Sequence, residues 1–206
     1  MITVDDALAH LLALVSPLES EDIQLIEAAG RVLAQDVTAR RDQPPFAASA
    51  MDGYALRADE VEQHAILKVI GESAAGHAFD GQVKPGQSVR IFTGAPVPTG
   101  ADFLVIQEDV TRSGDLITIA NIPGSNANIR DKGNDFHIGS TVTAPRVLSP
   151  SDIALLASMN LSSVPVTRRP PIALISTGDE LVMPGETPGR DPILASNPFG
   201  LTAKYD

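Results

Sequence analysis

Four short loops in this chain combine glycine with an acid or a hydroxyl: SAMDGY (Ser49–Tyr54), TGAPVP (Thr93–Pro98), RDKGND (Arg130–Asp135) and STGDEL (Ser176–Leu181). Glycine lets a backbone approach a ligand closely or adopt positive φ, and the polar neighbours supply acceptors for a cation or donors for an anion. Asp52–Gly53 fits a plain connecting turn, or a carboxylate that ligates a metal or accepts from a substrate hydroxyl. Thr93 could offer its hydroxyl and N–H to an anion while Gly94 keeps the loop close; a rigid β-turn explains the same residues. Arg130 and Lys132 suit phosphate oxygens and Asp135 a cation, although a solvated hairpin tip has the same composition. Thr177–Gly178 follows an apolar run. In open α/β sheets ligands bind beyond the carboxyl ends of strands, where Asp179 and Glu180 would stand. The four loops together suggest one polar site assembled from several loops.

These loops need elements to hold them. Thr3 and Asp6 form a capping-box pattern ahead of Val4, Ala7, Leu8, Leu11, Leu12 and Val15, which repeat at helical spacing. That predicts a first helix of about three turns. A second, short helix is predicted over Leu25–Leu33, with a strand over Ala34–Thr38. From Pro44 to Pro145 glycine and proline recur between short apolar runs, which predicts strands at Ala65–Ile70, Ser88–Phe92, Phe103–Gln107 and Leu116–Ile119. Helix signals return at Ser149, with Pro150 at the first helical position and Asp152 in the first turn. Strands are predicted at Val164–Arg168 and Ile172–Ser176.

The 206 residues carry a formal net charge of −11. That argues against a nucleic-acid partner, because phosphate-backbone affinity comes from clustered Lys and Arg, and adjacent basic pairs occur only at Arg40–Arg41 and Arg168–Arg169. Small anions remain open through N–H groups, isolated basic residues or a divalent cation. There is no cysteine, which excludes disulfides and thiolate chemistry. Neither a signal peptide nor a membrane-length apolar run is present, so a cytoplasmic protein away from membranes is expected.

The ordered set SAMDGYAL, RIFTGAPVPTGAD, NIRDKGNDF and ALISTGDEL resembles the molybdopterin molybdenumtransferases, relatives of the gephyrin E domain. The likeness runs to about Asn197. In the third motif Asn134 stands where the family more often has an acid. The resemblance implies an α+β chain. An elongated helical/β domain (1–43 and 146–168) carries an inserted all-β module (44–145), and residues 169–206 begin a truncated α/β molybdopterin-binding domain. It also implies a homodimer that inserts molybdate into adenylylated molybdopterin and releases AMP with Mg²⁺. The cleft would be composite, the α/β domain of one subunit facing the inserted β domain of the other. By motif position the functional residues fall on Asp52, Thr93, Asp135 and Glu180. Asp52 and Glu180 would act in catalysis, Asp135 and Glu180 would meet the metal, and Thr93, Gly94, Arg130 and Thr177 would bind substrate. Because later loops of the α/β domain are missing, the 206 residues alone are expected to be inactive. A non-catalytic dimerisation or scaffold fragment is the competing expectation.

Overall fold

The computed structural model describes residues 2–124, 127–187 and 189–205. It is a mixed α+β structure in two compact units: Met1–Ser20 with Thr167–Asp206, and Glu21–Val166.

The capping pattern at the N-terminus produces helix α1 (Val4–Leu12). The Thr3 side chain accepts from the Asp6 N–H, and the Asp6 carboxylate accepts from the Thr3 N–H. The helix is shorter than its spacing predicts and ends with Ala13 as C-cap. None of its residues is buried, so Val4, Leu8, Leu11 and Leu12 all face out.

Glu21–Val166 is built mainly of strands. The first are β1 (Ser20–Gln24), β2 (Val32–Leu33), β3 (Val37–Thr38), β4 (Ala48–Ser49), β5 (Gly53–Leu56), β6 (Ile66–Ser73) and β7 (Gln87–Ile91). There follow β8 (Phe103–Ile106), β9 (Val110–Ser113), β10 (Leu116–Ile119), β11 (Ile129–Arg130), β12 (Thr141–Val142) and β13 (Arg146–Val147). Helix α2 (Pro150–Ser158) and β14 (Ser163–Thr167) complete this part of the chain.

One sheet, ordered β1-β14-β2-β13, shares a core with α2 that buries Leu25, Leu33, Leu148, Leu156, Met159 and Val164. Its residues come from the two ends of the unit. The predicted helix over Leu25–Leu33 does not form. Only a 3₁₀ turn, Leu25–Glu27, precedes β2. Gly30 takes φ +76° and donates its N–H to the Leu148 carbonyl, while Leu33 pairs with Val166. Sheet pairing thus claims the backbone groups a helix would have used, and tertiary contacts override local spacing. The strand predicted over Ala34–Thr38 shrinks to β3, paired with β12.

The second sheet is ordered β8-β5-β7-β6-β10-β9. Its four predicted strands are present, three with shifted ends and Leu116–Ile119 matching in full. β6 and β7 are parallel, and the segment 74–86 returns the chain as a crossover. Tyr54, Leu56, Leu67, Val105, Ile117 and Ile119 fill one of its cores, and Ala55, Ile91, Ala95 and Leu104 another. Gly53 sits where β5 and β8 nearly touch: a Cβ there would lie 2.1 Å from the Val105 carbonyl oxygen.

In the other unit β15 (Leu181–Val182) pairs in parallel with β16 (Ile193–Leu194), and α3 (Asn197–Tyr205) follows. The predicted strand Ile172–Ser176 is not formed. Among the described residues no strand pairs with it, and Ile172, Leu174 and Ile175 are exposed. An apolar run becomes a strand only when a neighbour takes its N–H and C=O groups.

Candidate functional site

The turn between β4 and β5 carries Asp52, and the loop after β7 carries Thr93. They are distant in sequence, but β5 and β7 pair directly, with Gly53 opposite Ile91. That register brings the two loops to the same end of the sheet. Asp52 Oδ1 accepts from the Thr93 N–H and from its hydroxyl, each at 2.8 Å. These two donors, the N–H foremost, hold the Asp52 carboxyl below its usual range, and the positive Arg90 adds to the effect against some desolvation. Asp52 Oδ2 has no hydrogen-bond partner among the described residues.

The loop is closed on itself. Gly94 donates its N–H to the Ser49 carbonyl at 2.8 Å, and Ala95 donates to the Phe92 carbonyl at 2.9 Å. Gly94 holds φ +79° with open space where a Cβ would stand. Thr93 was expected to offer its hydroxyl and N–H to an anion, yet both are spent on Asp52. The backbone donors of this loop are therefore already used, and an anion beside it must be met by side chains.

Those side chains line a neighbouring cleft of about 390 Å³, formed by Arg41, Gln43, Pro44, Pro45, Phe46, Ala48, Ser49, Ala50, Thr93, Gly94 and Arg130. Among the described residues it is lined by two guanidiniums and no carboxylate. Arg130 is placed by β11, which pairs with β4 so that Arg130 lies opposite Ala48. Arg41 lines this cleft and was not among the site residues expected from the sequence. Its only signal was the Arg40–Arg41 pair, counted there as part of the overall charge.

Asp135 stands beside the cleft in an ion pair with Arg130. Lys132 pairs with Asp42 at 3.2 Å, and Asp42 also accepts from the Ile138 N–H at 2.8 Å. That N–H, with Lys132, holds the Asp42 carboxyl below its ordinary value. Gly133, at φ +74°, donates to the Pro44 carbonyl, and a Cβ there would strike the His137 ring at 2.1 Å. Arg130–Asp135 is therefore a fixed loop strapped to the 42–44 segment.

Asp52, Thr93, Gly94, Arg130 and Asp135 thus belong to one region of the Glu21–Val166 unit. Thr177 and Glu180 belong to the other unit. There the Glu180 carboxylate folds over Gly178, within 2.5 Å of where a Cβ would be, and the Glu180 carbonyl accepts from the Ile193 N–H. Among the described residues no cluster of three or more His, Asp or Glu side chains is arranged to hold a metal. None of their helices is long and apolar enough to cross a membrane.

Comparison with known proteins gives this arrangement a context. The chain is 38% identical to the molybdopterin molybdenumtransferase of Haemophilus influenzae over 202 residues, 97% of this chain and 50% of that protein. It is 36% identical to the protein of the same name from a Nostoc species, covering 98% of this chain and 49% of the relative. The crystal structure of the molybdopterin biosynthesis moeA protein from Pyrococcus horikoshii superposes with a TM-score of 0.89 at 32% identity, over 100% of this chain and 56% of that one. The chain thus spans about half the length of the relatives it matches. Residues 2–160 match the family described as the MoeA N-terminal region, domains I and II, and the chain belongs to that family.

Proposed function

We propose that this chain supplies the anion-binding half of a molybdopterin molybdenumtransferase, which inserts molybdate into adenylylated molybdopterin and releases AMP. The observation that carries the reading is the cleft beside the Asp52–Thr93 pair, lined by Arg41 and Arg130 and, among the described residues, by no carboxylate, in a protein of net charge −11. Both proposed substrates are anions. Guanidiniums meet such oxygens with paired, directed donors. Arg41 has no ion-pair partner among the described residues, and Arg130 can exchange Asp135 for a ligand oxygen. Asp52 keeps the Thr93–Gly94 wall of the cleft in place.

Mg²⁺ fits the donor set in a limited way. It is commonly held by one or two carboxylates, with waters and substrate phosphates completing its shell, so a three-residue cage is unnecessary. Asp135 and Glu180 are the carboxylates we assign to it, and the ion would neutralise charge on the phosphoryl oxygens. Glu180 and Thr177 enter the same proposal through their motif. A homodimer would let the second unit of one copy serve the first unit of another. The exposed apolar residues Val4, Leu8, Leu11 and Leu12 support a dimer, because a short helix with an open apolar face is marginal alone in water. The domain division 1–43 with 146–168, 44–145 and 169–206 belongs to the same reading, and a cytoplasmic location accompanies it.

Equilibrium dialysis of the 206-residue chain against adenylylated molybdopterin tests the cleft. We expect binding that drops at least about tenfold, or 1.4 kcal/mol, in an Arg41→Ala/Arg130→Ala double variant. A folded double variant that binds like the parent overturns the assignment of the cleft. A parent chain that binds nothing favours a scaffold fragment.

A further inference from the structure

Arg90 has no place in the chemistry above, yet it is bonded to three segments around Asp52. It lies on β7 directly opposite Tyr54 of β5. Its guanidinium stands 5.1 Å from the centre of the Tyr54 ring and 4.8 Å from that of Phe92. Its Nη1 donates to the Gly53 carbonyl at 3.1 Å, and its Nη2 donates to Gln107 Oε1 at 2.6 Å. Gln107 in turn donates its backbone N–H to the Asp52 carbonyl at 3.1 Å. Arg90 makes no ion pair among the described residues, although Glu72 is its ladder neighbour on β6.

We propose that Arg90 is the positioning residue of the Asp52–Thr93 pair. One guanidinium fixes the residue after Asp52, the residue that holds the Asp52 carbonyl, and the ring next to Thr93. The carboxylate is thereby held with Oδ1 committed to Thr93 and Oδ2 left available. This role rests on the reading of Asp52 and Thr93 as parts of the ligand site. Arginine suits it because a flat group with five donors can lie against aromatic rings and still bond at both edges. Lysine would keep the charge and reach one acceptor at a time. The positive charge of Arg90 also acts on the Asp52 carboxylate, in agreement with the geometry.

Amide hydrogen exchange measured by NMR on the 206-residue chain tests the proposal. Arg90→Met keeps an unbranched stem beside the rings and removes charge and donors together. We expect the Thr93 amide to exchange about tenfold faster, with Ala55 and Val89 in the sheet centre little changed, because exchange reports local opening. Arg90→Lys should fall between the two. An unchanged Thr93 amide, or an equal loss of protection across all three amides, overturns the positioning role. If Arg90→Met does not fold, the same comparison is made on Arg90→Lys, whose charge and stem are retained. Binding of adenylylated molybdopterin to Asp52→Ala, which removes both carboxylate oxygens, is measured in parallel. Full binding by that variant would refute the ligand-site reading while leaving the exchange result to decide the role of Arg90.

Discussion

Replacing Gly53 by alanine changes one methyl group, and the structure fixes the sign of its effect. A carbon and an oxygen not bonded to each other rest about 3.2 Å or more apart, close to the lower limit of weak C–H···O contacts. The new Cβ would lie 2.1 Å from the Val105 carbonyl oxygen and 3.0 Å from the Ile106 Cα. The obstacle is backbone in the adjacent strand, so no rotamer relieves it, and β5 or β8 must move by about 1 Å. Overpacking of this kind costs roughly 1–3 kcal/mol where side chains can yield, so the upper end applies here. The smaller unfolded-state entropy of alanine offsets about 0.4–1 kcal/mol of that. A net loss near 2 kcal/mol lowers the melting temperature by roughly 4–8 °C for a chain of this size. Gly124→Ala is the control, since nothing lies within 4 Å of its Cβ position and its φ is not positive. That variant should melt at the same temperature or up to a few degrees higher. Thermal unfolding of both, followed by circular dichroism, makes the comparison. A Gly53→Ala variant as stable as the parent would refute the steric reasoning and, with it, the claim that close strand approach fixes the start of β5 next to Asp52.

Three further outcomes are expected. Thr93→Val keeps the N–H to Asp52 Oδ1 and removes the hydroxyl, so the Asp52 carboxyl should titrate higher than in the parent while remaining depressed; a carbon-detected NMR titration with no change contradicts the pairing. Asp152 accepts from the Ser149 hydroxyl and N–H and faces Arg146, which lowers its carboxyl in the folded state. Its contribution is then complete above the unfolded value near 3.8 and is lost as pH falls through the lower folded value. Asp152→Asn should flatten the acid limb of the stability curve below that pH, as read from urea midpoints. Leu8→Glu on the exposed face of α1 should abolish self-association in sedimentation velocity with little change in monomer melting; a dimer that survives it removes α1 from the interface.

Local signals were legible where local chemistry alone sets the structure. Thr3–Asp6 and Ser149–Asp152 start helices because a hydroxyl and a carboxylate three residues apart satisfy each other's N–H groups. Leu116–Ile119 is a strand by alternation, with Ile117 and Ile119 inward. A short helix was expected over Leu25–Leu33 as well, but Leu25 and Leu33 are buried in the core of a sheet in which the partners of β2 begin more than a hundred residues later. Nothing near Leu25 announces Val166. The loops of the site were visible for the same reason as the helix caps, since glycine beside an acid or hydroxyl is a short-range pattern. What joins Asp52 to Thr93 is the pairing of β5 with β7, a long-range fact. Arg41 went unseen because its meaning comes from the Arg130 strand across the cleft.

Net charge left small anions open as ligands, and there is a physical reason why it does not decide the candidate cleft. At physiological ionic strength exposed charges are screened beyond about 8 Å, so a ligand responds to the groups lining its cleft far more than to the total of −11. Three acids on the loops around that cleft are already answered: Asp135 by Arg130, Asp42 by Lys132 and the Ile138 N–H, Asp52 by both donors of Thr93. Each such pairing reduces the negative field at the cleft wall without removing the carboxylate. An oxyanion approaching Arg41 would therefore meet one guanidinium with no ion pair among the described residues and one that can change partners, with the distant acids screened. The same acids that make the chain acidic hold the loops in which the cationic surface is set.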